Sequence, residues 1–439
     1  MAVRMPTRLF WRRSAAAAGI YSSAILGFGG TLVAAHLFST ETLGLYALVL
    51  SFTGLFQSLA DVTVEEALIK YGFRYITRQD WGRLRRLFES AVVFKVTGGL
   101  IGAIALVILA PFADQILNKQ GLETPLLVAA LLPPAQCIEN VSGSAIMLRG
   151  RYDIRGYFQF VSMGLRLTAI AVGAPHGLTA TIAAIVVAQV IATTAVTIAG
   201  LAAFRRFPHA HSKPLGSERR GILSFVTQSS VASGVASLTL PLATLVLGRV
   251  SSAKQVGLFR VAVSPQQGFA ALTAPARLVL LTEQTRDWER GNRAAVFAGV
   301  RRYMLGMAGI AALAMPPLLV FTPQLVRILY SAKNVGATDA MRIIIVAGGL
   351  RTIYGWTKSF PVTIGRPNLR IWTHGLETVV LVPLVAVLGA KWGATGAGGA
   401  VLASSVAYCL YWTALFLRIR REPAPAKERP APPVEALVP

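Results

Sequence analysis

The sequence is poor in the residues from which soluble active sites are built. It has two cysteines in 439 residues, Cys137 and Cys409, and both fall in apolar stretches, which leaves no basis for a disulfide framework or a cysteine metal site. The five histidines, His36, His176, His209, His211 and His374, show no metal-ligand spacing. Charge is scarce: 14% of residues are charged, against about 25% in a soluble domain. Acids are scarcer still, with 19 Asp and Glu beside 43 Lys and Arg. There is no glycine-rich phosphate loop and no paired-carboxylate site on a soluble segment. The longest connection on the less basic side, residues 322–338, is only 17 residues long, so an enzyme built on a large outward catalytic loop has no room.

What is present is apolar sequence. Hydrophobic residues make up 54% of the chain. Stretches of about 20 residues, long enough to cross about 30 Å of hydrocarbon, recur from Ser14 to Leu417 with short polar breaks. The pattern predicts an all-α membrane protein with twelve spans, at 14–38, 43–69, 87–110, 123–147, 157–174, 178–204, 222–248, 257–282, 303–321, 339–363, 371–389 and 394–417. The first span follows Arg4, Arg8, Arg12 and Arg13, as a signal peptide would, but its apolar run exceeds the usual length and no cleavage pattern follows. It is expected to remain as the first helix.

The formal net charge of +24 would suggest a nucleic-acid partner in a soluble protein. Its placement excludes that reading. With the N-terminus inside, the tails and the loops on that side hold 30 Lys and Arg, and the opposite connections hold six: Lys119, Arg249, Lys254, Arg327, Lys333 and Lys391. This asymmetry is the positive-inside rule, and it predicts two cytoplasmic termini. Seven basic residues remain inside or at the edges of spans: Lys95, Arg166, Arg260, Arg277, Arg342, Arg351 and Lys358.

The chain also repeats itself. GRYDIR at 150–155 returns as GRPNLR at 365–370, an offset of 215; STETLGLY at 39–46 returns as SAKQVGLF at 252–259, an offset of 213. APFADQIL at 110 matches TPQLVRIL at 322, and QDWGR at 79 matches RDWER at 286. Weak matches in consistent order imply a duplicated six-helix unit. An even number of spans gives both copies the same orientation, a parallel repeat. The expected organisation is a first lobe over 1–204, a linker over 205–221, a second lobe over 222–417 and a proline-rich, disordered tail over 418–439. The two hexapeptides read as glycine-permitted turns whose arginines hold the loops at lipid headgroups, with a direct substrate role as the alternative.

The stretch TLVAAHLFSTETLGLYALVLSFTGLFQSLADVTVEEALIKYG, residues 31–72, resembles the first helical hairpin of the Wzx-type oligosaccharide-lipid flippases, the polysaccharide-biosynthesis members of a superfamily (MOP) that also contains multidrug exporters of MATE type and lipid II flippases. Twelve spans, a 6+6 duplication and inward termini extend that resemblance over the whole chain. It implies a bacterial inner-membrane transporter that turns undecaprenyl-pyrophosphate-linked oligosaccharides from the cytoplasmic to the periplasmic leaflet by alternating access. It also implies membrane lipids, a polysaccharide polymerase and chain-length proteins as partners, with no cofactor beyond a coupled proton or sodium ion. Many relatives carry an acid late in the seventh span, where this chain reads LTLPLATLVLG over 238–248. A cation mechanism resting on that acid has no counterpart here.

Charges inside spanning helices cost about 2.5–3.5 kcal/mol each on insertion scales, so they face an interior. Arg166, Arg260, Arg277, Arg351 and Lys358 are expected to line one cationic cavity between the lobes, where planar guanidinium groups suit a diphosphate. On a continuous tenth helix, Arg351 and Lys358 share a face with Tyr354 between them, while Arg342 points elsewhere near the outward end. Gln266 and Gln267 belong to the same region of the eighth span. Ordinary ion pairing, of Lys95 with Glu139 or of a basic residue with Glu377, is the competing account. Asp61, Glu65 and Glu66 are candidates for proton or sodium coupling, against pairing with Lys70, Arg74 or the basic loops. Gln136, Glu139, Asn140 and Gly143 form a weaker polar stripe, read as packing. The alternative function is a multidrug or small-cation exporter of the same superfamily, which calls for an acidic interior; a polysaccharide polymerase or ligase is the remaining class.

Overall fold

The structure, a computed structural model, describes residues 7–60, 64–272, 280, 284, 287–288, 290–366 and 368–422. Asp61, Arg277 and the tail beyond Glu422 lie outside the described residues. Among the described residues the protein is helical and contains no strand. In the first half of the chain the helices are α1 (Thr7–Leu37), α2 (Thr40–Ala60), α3 (Val64–Thr77), α4 (Trp81–Leu117), the short α5 (Glu123–Ala129) and α6 (Leu132–Gln136), α7 (Glu139–Leu148), α8 (Tyr152–Gly173) and α9 (Leu178–Arg205). The second half adds α10 (Glu218–Val250), α11 (Ala253–Leu272), α12 (Arg293–Val320), α13 (Thr322–Tyr330), α14 (Thr338–Ile353), α15 (Phe360–Thr363) and α16 (Leu369–Arg421).

Six of these helices, α4, α8, α9, α10, α12 and α16, are each long and apolar enough to cross a membrane by themselves. The twelve-span expectation is thus met only in part by single helices. Two expected spans are broken. Over 123–147 the chain runs as α5, α6 and α7, because Pro133 and Pro134 cannot donate the backbone bonds a continuous helix needs. Over 339–363 it passes from α14 into a 3-10 turn, Gly355–Lys358, and then α15. Two other expected spans are fused: α16 covers the last two, bent at Gly393, whose φ of 57° only glycine adopts without strain.

The lipid-facing surface follows from what the helices leave uncovered. Ile104 and Ile108 of α4, Ile198 of α9 and Leu313 of α12 are more than half exposed, as apolar side chains in hydrocarbon can be. On α16, Trp372 and Trp392 are 69% and 62% exposed. Twenty residues of helix separate them by about 30 Å, the thickness of the hydrocarbon layer, so the two indoles mark its two interfaces. The chain is a multi-pass membrane protein.

The duplication is visible in the backbone. The N-caps Asp80 and Asn292 start α4 and α12 an equal 212 residues apart, each accepting from the amide three residues on, at 3.2 and 3.1 Å. That offset agrees with 213 for α2 and α11, and it displaces the QDWGR–RDWER pairing, which sets Asp80 against Asp287 instead of Asn292. Gly150 and Gly365 have φ of 69° and 71°, so both hexapeptides do turn on a left-handed glycine. Their arginines, however, are bound to protein groups. Arg155 donates to Asn140 Oδ1 at 2.9 Å, Arg366 meets Glu422 at 2.8 Å, and Arg370 donates to the Lys358 carbonyl.

The repeat equivalents α2 and α11 pack on one another where the two halves meet. Their equivalent glycines, Gly44 and Gly257, allow an approach so close that a Cβ on Gly44 would fall on the Ala253 carbonyl oxygen, and one on Gly257 on that of Thr40. Polar bonds clamp the same end: Thr40 Oγ1 donates to Asn334 Oδ1 at 2.9 Å, Asn334 Nδ2 to the Ala35 carbonyl at 3.2 Å, and Lys333 Nζ to the His36 carbonyl at 2.6 Å. Asn334 and Lys333 belong to the 322–338 segment, which is folded into α13 and a 3-10 turn. At the opposite end α3 packs on the start of α10, with Tyr75 donating to Glu218 at 2.6 Å and Arg78 meeting the same carboxylate at 3.3 Å.

Candidate functional site

One turn beyond Gly257 on α11, Arg260 points into a cavity of about 170 Å³ that Arg166 enters from α8. Tyr46, Thr31, Gly27 and Gly30 complete its polar and backbone wall, with Met163, Leu167 and Ile170 supplying the apolar part. The two arginines come from opposite halves of the chain. Both are partly buried, and neither makes a hydrogen bond or an ion pair with another described residue. Two guanidinium groups gathered without a carboxylate inside an apolar bundle are costly unless an anion joins them. Planar donor forks of this kind bind phosphate oxygens in pairs.

Arg351 and Lys358 lie elsewhere. They line a second cavity, of about 200 Å³, with Gln266, Thr352, Tyr354 and Tyr408. Among the described residues the expected single cationic cavity is two in this structure: Arg351 on α14 faces the second cavity with Gln266 of α11, and Lys358 joins it from the 3-10 turn after Ile353. Arg351 is not solitary. It reaches Glu377 at 2.8 Å, lies 4.0 Å from the Tyr408 ring centre, and shares the carboxylate with His374 at 3.1 Å. Its other terminal nitrogen, Nη1, is buried with no hydrogen-bond partner among the described residues. Such an orphan donor beside a cavity is a position for an acceptor that arrives from outside. Arg342, as expected, stays apart, pairing with Asp339 at 3.6 Å and donating to the Leu319 carbonyl at 3.1 Å.

Of the acidic candidates, Glu65 is drawn into the first half of the chain. Glu65 meets Lys95 at 2.6 Å, while Glu139, the partner expected for Lys95, is met by Arg155 and Gln189, at 3.6 and 2.8 Å. Glu66 instead accepts from Ser229 of α10 at 2.7 Å. The polar stripe is more than packing: Gln136, Glu139 and Asn140 line a cavity of about 150 Å³ with Gln57, Cys137 and Lys95. The break between α6 and α7 turns those residues toward it.

Arg155, expected at the lipid headgroups, meets Glu139 instead. Two residues of these clusters were not singled out by the sequence pattern. Gln189 carries no local signal, since it meets Glu139 from a helix 50 residues on. His374 does carry one: it lies three residues before Glu377 on one face of α16, inside an apolar run, where a polar pair needs a reason. Among the described residues no group of three or more His, Cys, Asp or Glu is arranged to hold a metal ion.

This arrangement of helices is shared with solved transporters. The chain is similar to an inward-facing multidrug resistance MATE family transporter of the MOP superfamily (TM-score 0.70, 14% identity, covering 92% of this chain and 96% of that one). It is similar to the lipid II flippase MurJ in an inward closed conformation (TM-score 0.69, 12% identity, 93% and 88%). It is also similar to a mutant of the Vibrio cholerae MATE transporter VcmN (TM-score 0.64, 15% identity, 95% and 97%). At such identities the likeness establishes the fold, a MATE-like all-α arrangement. Among curated proteins none matches the sequence. The sequence family described as polysaccharide biosynthesis protein matches residues 33–333, well over half of the chain. With its apolar helices, its duplicated halves and this match, the chain belongs to the polysaccharide biosynthesis protein family.

Proposed function

We propose that the protein carries undecaprenyl-pyrophosphate-linked oligosaccharides from the cytoplasmic to the periplasmic leaflet of a bacterial inner membrane, as the Wzx-type flippases do, by alternating access between its two halves. The observation that carries this reading is the pair Arg166 and Arg260, contributed by opposite halves to one cavity and lacking any acidic partner among the described residues. An anionic diphosphate neutralises both groups and draws the halves together, while the lipid chain stays in the bilayer. A cation exporter needs the reverse charge there. The family match and the likeness to a lipid II flippase support the same choice. With both termini cytoplasmic, the Gly44–Gly257 contact closes the periplasmic end.

The test is leaflet exchange of labelled lipid-linked oligosaccharide in reconstituted vesicles. Arg166→Ala and Arg260→Ala should each slow exchange about tenfold to a hundredfold, the worth of hydrogen bonds from a charged donor. Normal exchange in both variants, or transport of an organic cation in place of the lipid, would overturn the assignment.

The coupling residues proposed are Asp61, Glu65 and Glu66, with the proton as the coupled ion. An ammonium 2.6 Å from Glu65 occupies the place that a sodium ion would take, whereas protonating Glu65 breaks that pair. Replacing sodium by potassium should leave exchange unchanged, and Glu65→Gln should make its rate independent of a pH gradient. Sodium-dependent exchange would contradict the proton.

A further inference from the structure

Between α12 and the last turns of α16 the protein has a recess of about 710 Å³, the largest of its described cavities, which no part of the foregoing mechanism uses. Its walls are apolar: Phe297, Met304, Leu305, Trp356 and Phe416. Leu305 is 63% exposed, so the recess opens to the surrounding lipid. Its rim, at the end of α16, is basic. Arg293 is engaged, donating to the carbonyls of Ile419 at 2.8 Å and Glu422 at 3.0 Å. The rim's one carboxylate, Glu422, is neutralised by Arg366 at 2.8 Å, and that arginine holds its carboxyl below the ordinary glutamate range. Arg301 and Arg420 are exposed and have no hydrogen-bond or ion-pair partner among the described residues.

An apolar slot ending in two free guanidinium groups is complementary to an amphiphile with one or two chains and a phosphate head. The buried indole N–H of Trp356, a residue of the wall, also has no acceptor among the described residues. We propose that this recess is a binding site for one anionic phospholipid, with an acyl chain along Met304, Leu305 and Phe416 and the phosphate between Arg301 and Arg420. Basic pockets between membrane helices hold anionic headgroups in this way. The site is connected to the interior. Tyr354 lines both the recess and the cavity of Arg351 and Lys358, and its hydroxyl is held by Thr413 at 2.7 Å. A chain seated in the recess therefore packs on a residue that also shapes the interior cavity, and occupancy sets the position of the wall between them. The inference concerns the membrane around the protein and stands whatever sugar the transported lipid carries.

Native mass spectrometry of the full-length protein, released from vesicles of phosphatidylglycerol or of phosphatidylcholine, tests it. One phosphatidylglycerol should remain bound, with phosphatidylcholine at least about tenfold weaker. The double variant Arg301→Gln, Arg420→Gln should weaken phosphatidylglycerol retention about thirtyfold, at the usual contribution of a cation near an anionic headgroup. Both residues are exposed and unpaired, so the variant keeps every internal bond. Ala298→Trp, which fills the recess and leaves both arginines, should also release the lipid, and is a second measurement should the double variant fail to fold. Equal retention of the two lipids, undiminished retention in either variant, or equal binding of free inorganic phosphate would each overturn the site.

Discussion

Gly44→Ala is expected to reduce lipid export about tenfold to a hundredfold while the protein remains at normal abundance in the membrane. The methyl group would fall on the Ala253 carbonyl oxygen, which is backbone and cannot rotate away, so α2 and α11 could not reach their present separation. Overpacking of a close contact costs about 1–3 kcal/mol, and here the cost falls on one state of the protein, the one in which this end is shut. Under the proposed alternating access the population shifts away from that state. Gly257→Ala should do the same through Thr40, and the double variant should lose less than the two effects combined, since both act on one contact. A cross-link between Thr40→Cys and Asn334→Cys, whose native side chains bond at 2.9 Å, reports closure directly. Cross-linking and export at wild-type levels in Gly44→Ala would show that this contact is not part of the cycle.

The second large effect concerns Glu377. It is 5% exposed and is the only described carboxylate paired with Arg351, so Glu377→Leu leaves a guanidinium buried without its counter-charge. Breaking such a pair from one side costs about 3–5 kcal/mol, and thermal unfolding in detergent should record the loss. Arg351→Met alone should be damaging for the converse reason. Replacing both, by Arg351→Met with Glu377→Leu, removes the uncompensated charge and should restore most of the stability, because an apolar pair often serves a bundle as well as an ion pair does. Export then separates structure from function. If Arg351 Nη1 meets the substrate, the double variant folds but stays defective; recovery of export along with stability would make the pair purely architectural.

Much of this protein was legible before any fold was known. The class follows from apolar runs of spanning length, because hydrocarbon accepts only a backbone that satisfies its own hydrogen bonds. The duplication follows from repeated short stretches, and the glycines at 150 and 365 announce left-handed turns, since few other residues adopt positive φ. These are properties of composition and of single dihedral angles, and they need no knowledge of neighbours. Even the break at α6 has a local cause in Pro133 and Pro134.

The site was legible only as an inventory of charges. Glu65 lies 30 residues before Lys95, and Glu139 lies 16 before Arg155; nothing in spacing says that these pairs form. Arg166 and Arg260 share a cavity although they are 94 residues apart, while Arg351 is claimed by Glu377. The tertiary structure decided those partnerships, with α1 packed on both α8 and α11, and through the close seam at Gly44 and Gly257. A side chain's charge is inherent in its residue type, but its energy inside a membrane depends on what stands within a few ångströms, and only the packing of distant helices determines that.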